Sequence, residues 1–315
     1  MNRVTRSLSR RGWIALGMFA LVANSIGVAR GQAVASKAPS LVSPVIKGQR
    51  VFTCGHSFHV FVYPMLEEMA KSAGIENHES VGISRIGGSR VIQHWTVPDE
   101  KNEAKTALRA GKVDVLTLSP IWFPDAGMEN FARLAFEHNP NVRVLIQEYW
   151  LPNDTYEPIY PLGTRKKVDH NATNLTELRK SNDAYCHDIE EHVRGLNKTL
   201  GKDAVFVVPV GEASVILREK IIAGESPGLK AQWDLFRDNW GHAKPALMVL
   251  SGYCHFAVVY RRSPVGLPIP LALKQDKGIN DKDKEKLNRL LQEIAWQAVS
   301  QHSLTGIQLE APAAK

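Results

Sequence analysis

Val51-Phe52-Thr53-Cys54-Gly55-His56-Ser57-Phe58-His59 is a short apolar run that ends in Gly-His-Ser and leads into a mostly apolar segment, Phe58 to about Ala73. The pattern predicts a strand, a tight turn and a helix, with a serine at the turn. A hydroxyl there sits at the C-terminal edge of a sheet and at the positive end of a helix, where brief negative charge is stabilised. Serine is also a common helix N-cap, so this stretch alone leaves nucleophile and cap both open.

Outward from it, apolar runs alternate with helical patterns. A strand at about 50–54 precedes a helix from 57 to about 73, which Pro64 should bend and Gly74 should end. An extended piece at 78–83 leads into Ser84-Arg85-Ile86-Gly87-Gly88-Ser89-Arg90. A polar helix at 99–110, a strand at 113–118, a helix at 126–138 and a strand at 142–146 follow. A polar loop with Asn153-Asp154 and Arg165-Lys166-Lys167 comes next, then a charged helix at 174–200 and a strand at 204–210. Helices at 212–223 and 244–260 flank Trp233 to His242, and a Pro-rich connection leads to a last helix at 280–301. Continuous apolar strands alternating with helices predict an α/β fold, a parallel sheet covered on both faces. Ligands in such folds bind at the C-terminal edge of the strands.

Arg3, Arg6, Arg10 and Arg11 precede an apolar run from Trp13 to Val28 that is interrupted only by Asn24 and Ser25, and small residues follow at Ala29, Gly31 and Ala33. This predicts a signal peptide over 1–33 and an exported protein, periplasmic or secreted. An uncleaved anchor is the other reading of the run, although it is short for a span. Export would use the Sec route or, given Ser9-Arg10-Arg11, the twin-arginine route. Residues 1–31 hold five arginines and no acid, so without them 34 basic face 32 acidic residues and the net charge falls from +7 to +2. The basic character belongs to the leader, which removes the case for nucleic-acid binding. No stable membrane insertion is expected once the leader is gone. Residues 34–48 read as a linker, and three cysteines (Cys54, Cys186, Cys254) allow at most one disulfide.

Three features should meet at the sheet edge. One is Ser57. Another is Gly87-Gly88, where glycine lets the backbone turn its amides inward; no Gly-Lys-Ser/Thr follows, so this is not a phosphate loop. The third is Asp238-Asn239-Trp240-Gly241-His242, a carboxylate close to an imidazole. A serine nucleophile needs a base for its proton, an acid to orient that base, and donors for the oxyanion.

On these residues the chain resembles the SGNH/GDSL-type hydrolases over roughly residues 50–262. Gly55-His56-Ser57 stands for their first block, Gly88 for the second, and Asp238 to His242 for the last. His56 replaces the usual Asp, Asn153-Asp154 imitates the Gly-x-Asn-Asp block one strand late, and three residues rather than two separate Asp238 from His242. The resemblance implies a three-layer α/β/α sandwich of flavodoxin-like topology over 49–262, with 263–315 an extension whose helix packs on it. It implies an ester hydrolase that forms an acyl-enzyme and removes a small acyl group from a carbohydrate or other small-molecule ester. Ser57, His242 and Asp238 would be the catalytic residues. Ser57, Gly88 and Asn153 would supply the oxyanion donors.

His56, His59, Arg90 and Trp95 are candidate pocket residues, with Arg85 beside them. Asp234 is an alternative partner for His242. His187 and His192 with their acidic neighbours read as the solvated face of a charged helix, His255 as a helix residue beside Cys254. No His-Glu-x-x-His or Cys-x-x-Cys occurs, so neither metal nor cofactor is expected. The alternative function is a glycan-binding protein on the same scaffold, with Ser57 kept for structure.

Overall fold

The computed structural model describes residues 43–156 and 168–307. The expected leader, the start of the linker and Arg165-Lys166-Lys167 lie outside the described residues. Five parallel strands form one sheet in the order β2-β1-β3-β4-β5: β1 Arg50–Gly55, β2 Glu79–Arg85, β3 Val115–Leu118, β4 Arg143–Glu148 and β5 Val205–Pro209. The order reverses at β1, because the chain steps to β2 on one side and then to β3 on the other. Connections diverge there and leave a crevice above the strand ends. Ser57 follows β1 directly into that crevice.

The nine helices of the described residues are α1 Val62–Ser72, α2 Val91–Trp95, α3 Glu103–Arg109, α4 Ala126–His138, α5 Leu175–Leu200, α6 Val210–Ile222, α7 Pro245–Tyr260, α8 Leu271–Lys274 and α9 Asp281–Gln301. α1 packs against α7, while α2 and α3 pack against α4. Helices therefore cover both faces, and the α/β, three-layer expectation holds. Apart from the edge strand β2, the strands carry almost no exposed side chains on either face; Leu116, Leu118, Leu145, Ile146, Val205 and Val207 are fully buried. That double burial is why they read as unbroken apolar runs.

Two local expectations are corrected. α1 begins at Val62, not at 57, because Ser57 to Phe61 form tight turns in which the amides of His59 and Val60 donate to the His56 carbonyl at 2.9 and 3.0 Å. Ser57 is therefore not the N-cap of α1. Pro64 falls in the first turn, where its missing N–H breaks no helical bond, so it bends nothing. The described end of the expected linker is docked rather than free: the Val45 amide donates to the Tyr260 carbonyl at 2.8 Å, and a Cβ on Gly48 would lie 2.0 Å from the Asn77 backbone.

α7 is apolar all round and nearly every residue is buried. A surface helix could not tolerate that. It is sandwiched, because α9 packs along it opposite the sheet, with Tyr253 Oη donating to Asn288 Oδ1 at 2.5 Å and accepting from Gln292 Nε2 at 3.2 Å. Beyond α9 the chain turns onto β5, whose Val207 amide donates to the Leu304 carbonyl at 2.9 Å. The tail thus covers part of an edge strand that would otherwise invite pairing. The three cysteines are free. Among the described residues no helix is long and apolar enough to cross a membrane.

Candidate active site

The site begins with the turn after β1. Gly55 is required there, since a Cβ would come within 2.8 Å of the His59 ring folded back beneath it. Gly55→Ala should displace that ring and the Ser57 turn with it. We expect a loss of about 1–3 kcal/mol of stability and a fall in activity larger than the fall in folded fraction, read by thermal melts beside initial rates.

Ser57 Oγ lies 2.9 Å from His242 Nε2, and His242 Nδ1 lies 2.7 Å from Asp238 Oδ2. A carboxylate only accepts, so Nδ1 carries the ring proton. Nε2 of the neutral ring is then a lone pair, and the serine hydroxyl donates to it. Asp238 Oδ1 accepts the amides of Trp240 and His242 at 3.1 and 3.2 Å. Partial burial works against the Asp238 charge, but these amides and the imidazole outweigh it and hold its pKa below the ordinary carboxylate value.

The spacing of Asp238 and His242 comes from a turn, not from a helix. Phe236 and Ala243 form an antiparallel bridge, the Arg237 amide donates to the His242 carbonyl at 2.8 Å, and Gly241 closes the turn at φ 87°. Three residues rather than two fit between the pair because Gly241 accepts this left-handed geometry. Trp150 fixes the turn through its Nε1–H, which donates to the Gly241 carbonyl at 2.7 Å, and its ring stacks on Phe58 with centroids 4.8 Å apart. Phe58 in turn meets His242 edge-on at 5.1 Å.

Behind the turn lies a buried polar network. Arg218 grips Asp154 with both terminal nitrogens, at 2.5 and 2.9 Å. The ring nitrogens of His170 both face acceptors: Asp154 Oδ2 at 2.9 Å and the Asp238 carbonyl at 3.1 Å. The backbone of the acid-bearing turn is thus tied to a buried ion pair. Asn153 sits on this side as well, its amide 3.3 Å from the Trp240 carbonyl. It is not among the residues that line the cavity beside Ser57.

On the other side, the Ile86 amide donates to the Gly55 carbonyl at 3.2 Å and keeps the glycine loop alongside the serine turn. Gly88 takes φ 59°. The His94 ring holds both ends of the loop, at 2.7 Å from Ser84 Oγ and 2.7 Å from Ser89 Oγ. Within the described residues the amides of Ser57 and Gly88 donate to nothing.

Ser57 opens onto a cavity of about 310 Å³ whose lining includes Arg85 and Arg237. The other four candidate pocket residues belong elsewhere. His59 is fully buried, with Nδ1 2.9 Å from Gln147 Oε1 and Nε2 2.9 Å from Thr117 Oγ1. His56 is buried against Ser119 Oγ at 3.2 Å. Arg90 donates to the Pro124 carbonyl at 2.8 Å beside Asp125, the buried carboxylate that caps both α2 and α4. Trp95 packs edge-on against Phe131, with the Lys105 ammonium 4.2 Å from its centroid. Asp234 accepts the amides of Lys230 and Ala231 and does not meet His242.

Burial pushes His56 down to about 3, with His94 and His242 adding repulsion; burial also brings His94 and His255 to about 4. Each ring is neutral in the fold and takes up a proton on unfolding below its ordinary pKa of 6.5. Their contribution is present above that value and is lost as pH falls towards 4, at up to about 1.4 kcal/mol per pH unit for each ring. Urea melts between pH 7 and 4 should therefore show a midpoint that falls steeply with acid.

Among the described residues one group has metal-like spacing: Glu148, Glu190 and His302, with ligand atoms within 4.8 Å of one another. His302 Nδ1 accepts the Leu304 amide at 3.2 Å, which leaves the ring proton on Nε2, facing Glu190 at 3.3 Å and Glu148 at 3.5 Å. A protonated Nε2 has no lone pair to offer a cation there.

No family model matches the chain, and no curated protein matches it. Among solved structures, a DUF4886 family protein from Bacteroides uniformis superposes with a TM-score of 0.48 at 14% identity, covering 84% of this chain and 100% of that one. A Parabacteroides merdae protein described as a GDSL-like lipase superposes with a TM-score of 0.37 at 15% identity, covering 68% of this chain and 99% of that one. At such values it is the side chains of the cleft that speak to chemistry.

Proposed function

We propose that the protein is a serine ester hydrolase that works through an acyl-enzyme. The observation that carries this is the continuous hydrogen-bonded line from Ser57 Oγ through His242 to Asp238, with the imidazole lone pair aimed at the hydroxyl. Ser57 Oγ attacks the ester carbonyl while His242 Nε2 takes its proton. Negative charge gathers on the carbonyl oxygen, and the free amides of Ser57 and Gly88 receive it. His242 then delivers the proton to the departing alcohol. Water enters, gives a proton to His242 and attacks the acyl carbonyl; the bond to Ser57 Oγ then breaks as His242 returns the proton to that oxygen, releasing the acid and the free serine. Asp238 stabilises the imidazolium formed in each half and keeps the ring proton on Nδ1.

A binding protein would have no use for this wiring, because a serine kept for structure needs no base aligned on its oxygen. The small volume of the cavity, about 310 Å³, favours a small acyl group. Release of the protein by a signal peptide would bring it to extracytoplasmic esters, including acylated carbohydrates. The test is hydrolysis of p-nitrophenyl acetate, butyrate, octanoate and palmitate by the leaderless protein. The expected profile favours the short esters and falls away by octanoate. Binding of acylated glycans with no turnover of any ester would favour the glycan-binding alternative.

A further inference from the structure

We propose that the Ser57 cavity accepts an ester carrying an anionic group and that Arg85 and Arg237 select it. This rests on the reading of Ser57 as nucleophile. Apart from Ser57 and these arginines, the walls are apolar: Val60, Phe61, Pro64, Ala243 and Met248. No lining residue is acidic. The nearest carboxylate on the same turn, Asp238, is committed to the His242 ring and to two amides.

Both arginines are set by the elements that set the chemistry. Arg85 ends β2 in register with Gly55, two residues from the nucleophile. Arg237 immediately precedes Asp238, and its amide holds the carbonyl of His242. Several other arginines are neutralised by carboxylates: Arg50 pairs with Asp114, Arg179 with Glu212 and Glu219, and Arg218 with Asp154. Within the described residues neither the Arg85 nor the Arg237 guanidinium has a carboxylate or carbonyl partner. Both arginines are exposed where they border the cavity, so an anion entering it would meet two cations that no carboxylate has claimed. The guanidinium fork matches a carboxylate, which it can grip with two parallel bonds. A neutral acyl chain would use neither group. The substrate class is therefore a short ester with a negative charge a few bonds from the scissile carbonyl, on its acyl or its alcohol side.

The test compares matched esters that differ in charge. Monoethyl glutarate against ethyl butyrate places the charge on the acyl side; 4-acetoxybenzoate against its methyl ester places it on the alcohol side. The ratio of kcat/KM, anionic over neutral, is measured for the wild type and for Arg85→Gln/Arg237→Gln, so that intrinsic reactivity cancels. We expect the ratio to fall at least tenfold in the double variant for one of the pairs, and the wild-type ratio to shrink in 0.5 M NaCl. The pair that responds identifies the charged side. Ratios unchanged in both pairs overturn the proposal while leaving the esterase reading intact. Calorimetric titration of glutarate into Ser57→Ala, with and without the arginine substitutions, decides the case in which no ester turns over. Binding lost with the arginines then upholds the anion site and removes only the esterase reading, and absence of binding overturns the site as well.

Discussion

Ser57→Ala is expected to lower kcat/KM for p-nitrophenyl acetate by four to six orders of magnitude, about the loss seen when a serine nucleophile is removed. His242→Ala should cost a similar factor, because a serine without its base stays protonated. The two losses should not multiply. Once either partner is gone the other has nothing to do, so the double variant should be no slower than the worse single one by more than a few fold. Neither side chain holds the fold together: Ser57 lies in the turn ahead of α1, and His242 is partly open to solvent. Melting temperatures should therefore stay within a few degrees of wild type. Multiplying losses with intact folding would show that the two residues act separately, and the hydrogen bond between them would lose its mechanistic meaning.

The second large effect lies behind the site. Arg218→Met strips the partner from Asp154, whose side chain is only 5% exposed. Breaking a buried pair from one end leaves an uncompensated charge and costs about 3–5 kcal/mol. For a chain of this size that is a drop of roughly 10 °C in melting temperature. Activity should fall as well at temperatures where the variant is folded, because Asp154 orients His170 and His170 holds the Asp238 carbonyl. The sign of the pH effect follows from the same residue. Burial works against the Asp154 charge, but His170, Arg218 and Thr173 outweigh it and bring its pKa from 3.8 to about 2. Its stabilisation is present above about pH 4 and is lost as pH falls through about 2; it amounts to about 2 kcal/mol. Asp154→Asn should lack that acid-dependent step. A wild-type melting temperature in Arg218→Met would mean that the ion pair does not anchor the turn.

The strand set and the parallel sheet could be read from the chain because strands buried on both faces leave continuous apolar runs. The three polar residues of the site were also legible, since Ser57, Asp238 and His242 lie in short blocks beside glycines that tolerate unusual backbone. What supports them was not. Trp150 fixes Gly241 from 91 residues away, and Arg218 reaches Asp154 across 64. No local spacing announces such contacts. A histidine near a nucleophile invites reading as a pocket residue, yet the tight turn at Gly55 buries the rings of His56 and His59. Asn153 imitates a known block by its place in the chain, while the left-handed backbone at Asn153 and Asp154, φ 53° and 55°, sets its amide beside the Trp240 carbonyl. His94, which pins both ends of the glycine loop, could have been noticed from its distance to Ser89, but polarity alone gives no direction.

The most direct test of the central claim is labelling with a fluorophosphonate followed by peptide mass spectrometry, on the wild type, Ser57→Ala and His242→Ala, each produced without residues 1–33. The geometry predicts one adduct on the wild type, located at Ser57, none on Ser57→Ala, and labelling slowed by orders of magnitude in His242→Ala. Folded wild-type protein that stays unmodified while a known serine esterase in the same tube is labelled, or that carries its adduct on another residue, would contradict the assignment of Ser57 as nucleophile.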